Sequence, residues 1–168
     1  MLEGLASVRA LKFAVAVGAA LFLAACANDK AKTGAGDLAS IGGGSATPGS
    51  AQDFQDNVGD RVFFESDSSD LTSTATATLD KQAQWLTQYG SYKILIEGHA
   101  DERGTREYNF ALGQRRAQTT RDYLVSKGVA ASRLSTKSWG KEKPVAVCDD
   151  ISCWSQNRRA VTTLSGGN

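Results

Sequence analysis

The side chains best able to do chemistry are concentrated in one stretch, residues 98–117, which reads GHADERGTREYNFALGQRRA. It contains the only histidine of the chain, His99, the adjacent carboxylates Asp101 and Glu102, and several arginines. Such groups can act as general acids and bases, ligate a metal, or bind a charged ligand. Their spacing, and the partners available elsewhere in the chain, must decide among these three roles.

The sequence offers few residues that could complete a catalytic site or a metal site around His99. A serine triad would need His99 beside an activated serine, and no G-x-S-x-G motif occurs. A metal held by His99, Asp101 and Glu102 would need further ligands, and the chain has no second histidine. Residue types leave a two-carboxylate glycosidase open, although nothing singles out one pair of acids. We therefore predict no catalytic residues, no metal and no cofactor.

The spacing favours a binding site for a ligand that carries both a positive and a negative charge. Asp101 is expected at the end of a strand, and Gly104 in the turn into a helix whose first N–H groups face the site. Asn109, Leu112 and Arg116 follow at helical spacing and so share one side of that helix. Asp101 would take an ammonium, and Arg116 would take a carboxylate in a forked pair. The alternative, which the spacing leaves open, is that Asp101 and Arg116 pair with each other or cap the helix.

Hydrophobic periodicity places these residues in a domain of alternating strands and helices. Strands are expected at 61–64, 92–97, 134–139 and 160–164, helices at 71–89 and 105–127, and a short helix before the last strand. This order implies helices packed on one face of a mixed sheet. The predicted fold class is α/β, a two-layer sandwich.

The first 25 residues have the features of an export signal. Arg9 and Lys12 precede an uncharged apolar run of about 13 residues, shorter than the roughly 20 that a membrane span needs. The run ends in Leu-Ala-Ala before Cys26, which resembles the bacterial lipobox, with an ordinary cleavage site as the alternative. That resemblance implies three lipid chains on Cys26, enough for stable anchoring. Ala27 in place of aspartate implies the outer membrane, with the domain facing the periplasm.

The rest of the chain divides into a tether and a domain. Residues 26–57 are mostly small and polar, so we predict a flexible tether there and a folded domain at 58–168. The chain has 19 basic and 18 acidic residues; the predicted signal removes Arg9, Lys12 and Glu3, which leaves 17 of each. A formally neutral chain argues against nucleic acid as a partner.

Cys148 and Cys153 are the two cysteines that remain after Cys26. Their spacing could form half of a metal site, but no second cluster of cysteine or histidine completes it. A disulfide suits the oxidising periplasm and would contribute about 2 kcal/mol by closing a short loop.

The proposed ligand-binding residues belong to a longer pattern of sequence motifs. VFFESDSSDL, YKILIEGHADERGT, WGKEKP and NRRAV, spread over about 105 residues, closely resemble the OmpA-like peptidoglycan-binding domain family, and the lipobox points to its lipoprotein branch. The resemblance implies a noncovalent wall anchor that recognises meso-diaminopimelate of the stem peptide and supports envelope integrity and cell division. It places ligand contacts at Asp101, Asn109 and Arg116, with Phe64, Asp67 and Arg158 bordering the same groove. It also implies TolB and other Tol proteins as partners, with TolB docking near the groove in competition with the wall.

Three hypotheses follow, with some departures from the family pattern. The chain is a wall-binding anchor, an enzyme acting on the wall, or a structural protein whose groove mainly serves TolB. Trp139, Arg106 and Gly113 stand where the family usually has tyrosine, proline and serine. His99 belongs to the signature, and both a structural role and a ligand contact stay open for it.

Overall fold

The structure, a computed structural model, describes residues 46–167. The predicted signal, the predicted lipidation site Cys26 and most of the predicted tether lie outside these residues.

Four α-helices and four strands make up the described part of the chain. The helices are α1 (Ala51–Asp53), which continues as a π-helical stretch (Phe54–Val58), α2 (Ser73–Gln88), α3 (Arg106–Ser126) and α4 (Ile151–Asn157). The strands are β1 (Arg61–Phe63), β2 (Lys93–His99), β3 (Leu134–Gly140) and β4 (Arg159–Ser165). Apart from α1 and its continuation, this is the predicted order of elements.

The four strands form one mixed sheet in the order β1-β4-β2-β3. Strands β2 and β3 run parallel, whereas β4 lies between β1 and β2 and is antiparallel to both. Helices α2 and α3 cover the face that carries Val62, Ile94, Ile96 and Ala160. The predicted two-layer α/β sandwich is confirmed.

Local side chains set where the helices begin. The hydroxyl of Thr72 accepts a hydrogen bond from the Ala75 amide at the start of α2, and Thr105 does the same for Tyr108 at the start of α3. Each threonine satisfies one of the free N–H groups of a first helical turn. Because Thr105 fixes the first residue of α3, it also fixes the length of the loop between β2 and α3.

Two glycines let α3 approach the sheet closely at the end of β2. A β-carbon on Gly98 would lie well inside van der Waals contact with the carbonyl oxygen of Gly113, and one on Gly113 would meet Gly98 and the Ser138 hydroxyl. Gly113, one of the departures from the family pattern, therefore stands where the helix and the strand backbones meet. This approach brings the first half of α3 next to the loop that follows β2.

The folded part of the chain begins earlier than predicted. Residues 51–57, which we assigned to the tether, are helical, and Phe54 is only 1% exposed. Its ring packs against Trp85 of α2 at 5.0 Å between centroids, and the Trp85 indole donates to Asp53. The predicted boundary at residue 58 is thus wrong by several residues, because one aromatic side chain in a run of small residues is enough to dock a short helix.

Within residues 46–167, no helix combines the length and the hydrophobicity that a bilayer crossing requires.

The close approach at Gly98 predicts a large cost for a small substitution. Gly98→Ala should lower the free energy of unfolding by about 1–3 kcal/mol, because the new methyl group forces α3 away from β2. Gly90→Ala is the matched control, since a β-carbon there meets nothing within 4 Å. Urea denaturation of the two variants measures the difference, and equal midpoints would contradict the packing described here.

Candidate functional site

Asp101 lies where β2 ends and the chain turns into α3. Ala100 still donates its amide to the carbonyl of Gly140, so the strand pairing continues to the residue before Asp101. Gly104 then adopts φ +83°, a conformation that favours glycine, and Thr105 caps α3. The sheet and the helix cap thus hold the Asp101 loop from both sides.

The Asp101 carboxylate is buried, with a side chain 8% exposed, and two arginines contact it. Arg103 Nη2 donates to Oδ2 at 2.7 Å and its Nε donates to Oδ1 at 3.2 Å, while Arg158 Nη1 reaches Oδ2 at 3.5 Å. Burial by itself would raise the pKa of Asp101, but the hydrogen bonds and charge of Arg103 and the hydrogen bond from Arg158 outweigh it and lower the pKa. Asp101 is therefore an anion at neutral pH.

Arg103 covers Asp101 from the solvent side. Its side chain is 43% exposed, and its Nη2 also donates to the Ser66 hydroxyl at 2.8 Å. The guanidinium carbon lies 4.3 Å from the ring centroid of Trp154, whose indole donates to the Glu102 carboxylate. Sequence reasoning missed Arg103, Ser66 and Trp154 as parts of the site. The spacing of two between Asp101 and Arg103 was the one available signal.

Arg116 has a structural part that the sequence did not predict. It is fully buried, and its guanidinium donates to three backbone carbonyls, those of Glu65 (3.0 Å), Ser68 (2.9 Å) and His99 (2.8 Å). Burial and the charge of Arg158 lower its pKa to about 10, although Asp101 and Asp67 partly oppose this. Among the described residues Arg116 forms no ion pair with Asp101, the alternative that the spacing left open. Its guanidinium has five N–H donors and the three carbonyls use three of them, so the fork toward a ligand carboxylate stays a prediction.

Asn109 and Leu112 also lie on the buried side of α3. The Asn109 amide nitrogen donates to the Arg103 carbonyl at 2.6 Å, and the Lys141 ammonium donates to the carbonyls of Glu102 and Gly104. These contacts fix the backbone of the loop that carries Asp101 and Arg103. Asn109 therefore shapes the loop, while Leu112 is a buried apolar side chain next to it in the helix.

The end of β1 forms the other wall of the site. Phe64 and Arg158 are joined by two hydrogen bonds: the Phe64 amide donates to the Arg158 carbonyl, and the side-chain Nε of Arg158 donates to the Phe64 carbonyl. Asp67 is exposed on the rim at φ +53°, within 3.5 Å of the Tyr108 hydroxyl. A shallow hollow of about 340 Å³ opens beside this wall, lined by Phe63, Phe64, Glu65, Thr72, Ser155, Gln156 and Arg158.

Three predicted residues thus come together directly and the others frame them. Arg158 contacts both Phe64 and Asp101, and Arg116 holds the β1–α2 loop, through Glu65 and Ser68, against the end of β2. We name the Arg103-covered carboxylate, with the Arg158 and Phe64 wall beside it, the Asp101 site.

His99 is buried at the edge of this region, and its Nδ1 has no hydrogen-bond partner within the described residues. Burial, together with the positive charges of Arg159 and Lys143, lowers its pKa from 6.5 to about 3. The imidazole is therefore neutral at any physiological pH. Its carbonyl, and not its ring, takes part in the site by accepting from Arg116.

The structure joins Cys148 and Cys153 in a disulfide, with their Cα atoms 5.7 Å apart. The bond closes the chain around the start of α4, where Asp150 accepts from the Ser152 amide. Trp154, which stacks on Arg103, directly follows Cys153. Between residues 46 and 167, no cluster of three His, Cys, Asp or Glu side chains is arranged to hold a metal ion.

Burial of Arg116 predicts that it stabilises the fold. Arg116→Lys should lower the free energy of unfolding by about 3 kcal/mol, because an ammonium cannot span three carbonyls and leaves buried acceptors without donors. The neighbouring Arg115 is exposed, so Arg115→Lys should change the free energy by less than about 0.5 kcal/mol. Urea denaturation compares the two, and similar values would argue against the structural role.

The pKa of His99 predicts an acid-dependent loss of stability. Between pH 6.5 and 3 the unfolded chain binds a proton at His99 that the folded chain does not, so stability falls as the pH falls. From pH 7 to pH 5 this contribution is about 2 kcal/mol, and His99→Gln should remove it. The test compares the free energies of unfolding of both proteins at the two pH values. The same pH dependence in both would show that His99 is accessible to protons in the folded chain.

Comparison with known proteins gives a consistent result. Residues 63–158 match the OmpA family. A peptidoglycan-associated lipoprotein of Mesorhizobium japonicum is 66% identical over 152 residues, covering 90% of each chain, and one of Brucella melitensis is 61% identical over 154 residues, covering 91% of each. The crystal structure of the peptidoglycan-associated lipoprotein from Burkholderia pseudomallei, 41% identical, superposes with a TM-score of 0.63 over 66% of this chain and 96% of that one. This chain therefore belongs to the OmpA family and, within it, to the peptidoglycan-associated lipoproteins.

Proposed function

We propose that the chain is an outer-membrane lipoprotein that binds peptidoglycan noncovalently and so tethers the membrane to the cell wall. The observation that carries the proposal is the Asp101 site itself. Its carboxylate is ionised and nearly buried, and it lies at the start of the loop between β2 and α3. A buried anion with fixed hydrogen-bond geometry suits a ligand ammonium. The three relatives described above are peptidoglycan-associated lipoproteins, which supports peptidoglycan as the source of that ligand.

The proposed contact is the zwitterionic end of meso-diaminopimelate in the stem peptide. Its ammonium would bind Asp101, and its carboxylate would meet Arg116, with Arg158 beside it. Arg158 and Phe64 form a preformed wall there, and the adjacent hollow offers space for an aliphatic stem. Fixed walls reduce the entropy lost on binding.

We propose no enzymatic step at this site. A general acid or base works best with a pKa near the working pH, whereas the pKa of Asp101 is lowered and that of His99 falls to about 3. Both are held in a single protonation state at neutral pH, which suits equilibrium binding.

The remaining parts of the proposal concern the ends of the chain and its partners. Residues 1–25 would be removed as a signal, Cys26 would carry lipid in the outer membrane, and the following segment would tether the domain in the periplasm. TolB and other Tol proteins are proposed as partners because the family resemblance implies them. A role in envelope integrity and cell division follows from a link between membrane and wall.

Removal of the Asp101 charge should abolish binding to the wall. Asp101→Asn keeps the shape of the side chain but removes the anion that the ligand ammonium would bind, which should cost about 2–5 kcal/mol of binding free energy, at least roughly thirtyfold in affinity. Co-sedimentation with purified sacculi measures the effect. Asp122→Asn, an exposed carboxylate further along α3, is the matched control.

Two results would contradict the proposal. Full retention of sacculus binding by Asp101→Asn would exclude the Asp101 site as the wall contact. Release of soluble muropeptides from sacculi by the wild-type protein would instead favour the enzyme hypothesis.

A further inference from the structure

We propose that Arg103 is an internal gate of the Asp101 site: in the free protein its guanidinium occupies the place of the ligand ammonium, and the ligand binds by displacing it. The inference rests on the proposed function, since it describes how the same site is regulated. It assigns a role to a residue that the sequence pattern did not single out.

Arg103 uses the acceptors that an incoming ammonium would need. Its Nη2 and Nε meet both carboxylate oxygens of Asp101, and the Arg103 backbone amide also donates to Oδ1 at 3.2 Å. A forked guanidinium pair occupies the outward lone pairs of a carboxylate. With the Asp101 side chain only 8% exposed, a cation from solvent reaches it once the Arg103 side chain has moved.

Of the three arginines around the site, Arg103 is the one free to move. Arg116 is fully buried on three carbonyls, and the Arg158 side chain is 6% exposed and bound to the Phe64 carbonyl. Arg103 is 43% exposed, so its side chain can swing into solvent without leaving a cavity in the core. Its ion pair is also partly hydrated, which keeps the cost of breaking it modest.

The closed position of Arg103 is held by two other segments of the chain. Ser66, in the loop between β1 and α2, accepts from Nη2, and the Trp154 ring of α4 stacks on the guanidinium. Glu102 in turn accepts from the Trp154 indole. These contacts keep the Arg103 side chain in one position and so strengthen its ion pair with Asp101.

Removal of the gate should tighten ligand binding. In Arg103→Gln the Asp101 carboxylate keeps its contact with Arg158 but loses its outer cation, so affinity should rise about three- to tenfold. Ser66→Ala removes one contact of the gate and should raise affinity in the same direction by about twofold. Arg106→Gln, which removes an exposed arginine paired with Glu142 at the start of α3, should leave affinity unchanged.

The experiment is isothermal titration of the full mature protein, purified in detergent, with a soluble muropeptide whose stem ends in meso-diaminopimelate. Wild type, Arg103→Gln, Ser66→Ala, Arg106→Gln and Asp101→Asn are compared, with a thermal unfolding midpoint measured for each. Tighter binding by Arg103→Gln and Ser66→Ala, with loss of binding in Asp101→Asn, supports the gate.

The gate and the proposed function fail in different ways. Equal or weaker binding by Arg103→Gln, together with loss of binding in Asp101→Asn, overturns the gate and leaves the proposed function standing. Binding that Asp101→Asn retains, or binding absent from every protein, overturns the proposed function and the gate with it. If Arg103→Gln does not fold, Ser66→Ala decides the question by the same criterion.

Discussion

The architecture of the site depends on one buried cation. Arg116 extends from the middle of α3 to three carbonyls, two in the loop after β1 and one at the end of β2. The bond to the His99 carbonyl is fully buried, and a buried acceptor that loses its donor is costly in a protein interior. The guanidinium therefore joins helix, loop and sheet at the point where the site forms. Burial lowers its pKa only to about 10, so it keeps its charge under ordinary conditions.

That cation reaches its acceptors because α3 lies unusually close to β2. Gly98 and Gly113 bring the two backbones together, three residues before Arg116 along the helix. A wider separation would move the guanidinium away from the His99 carbonyl and release the loop that contains Glu65 and Ser68. The same close approach sets the short connection from Asp101 through Gly104 to the Thr105 cap. Packing of two glycines is thus a condition for the position of the Asp101 carboxylate.

The sequence allowed the fold to be predicted well and the site only in outline. Alternation at Ile94 and Ile96 and the helical spacing of Asn109, Leu112 and Arg116 are local signals, and the strand and the helix that they predict are present. The docking of Phe54 on Trp85 was missed because it depends on a contact between distant residues. The same holds for Trp154 on Arg103, which are 51 positions apart by their numbers. Helical spacing placed Arg116 on the correct side of α3, but spacing carries no information on how deeply a side chain is buried, and depth decided its role.

The arginines near Asp101 differ in how deeply they are buried, and their roles differ accordingly. Arg116, fully buried, organises the backbone; Arg158, nearly buried, contacts Asp101 and holds Phe64; Arg103, partly exposed, closes the site. An exposed pair is cheap to break, whereas a buried guanidinium deprived of its acceptors is expensive. Reversible binding at Asp101 therefore requires that the outermost cation exchange while the inner two stay fixed. The two buried arginines keep the site rigid, and the exposed Arg103 is the cation that a ligand can replace on the Asp101 carboxylate.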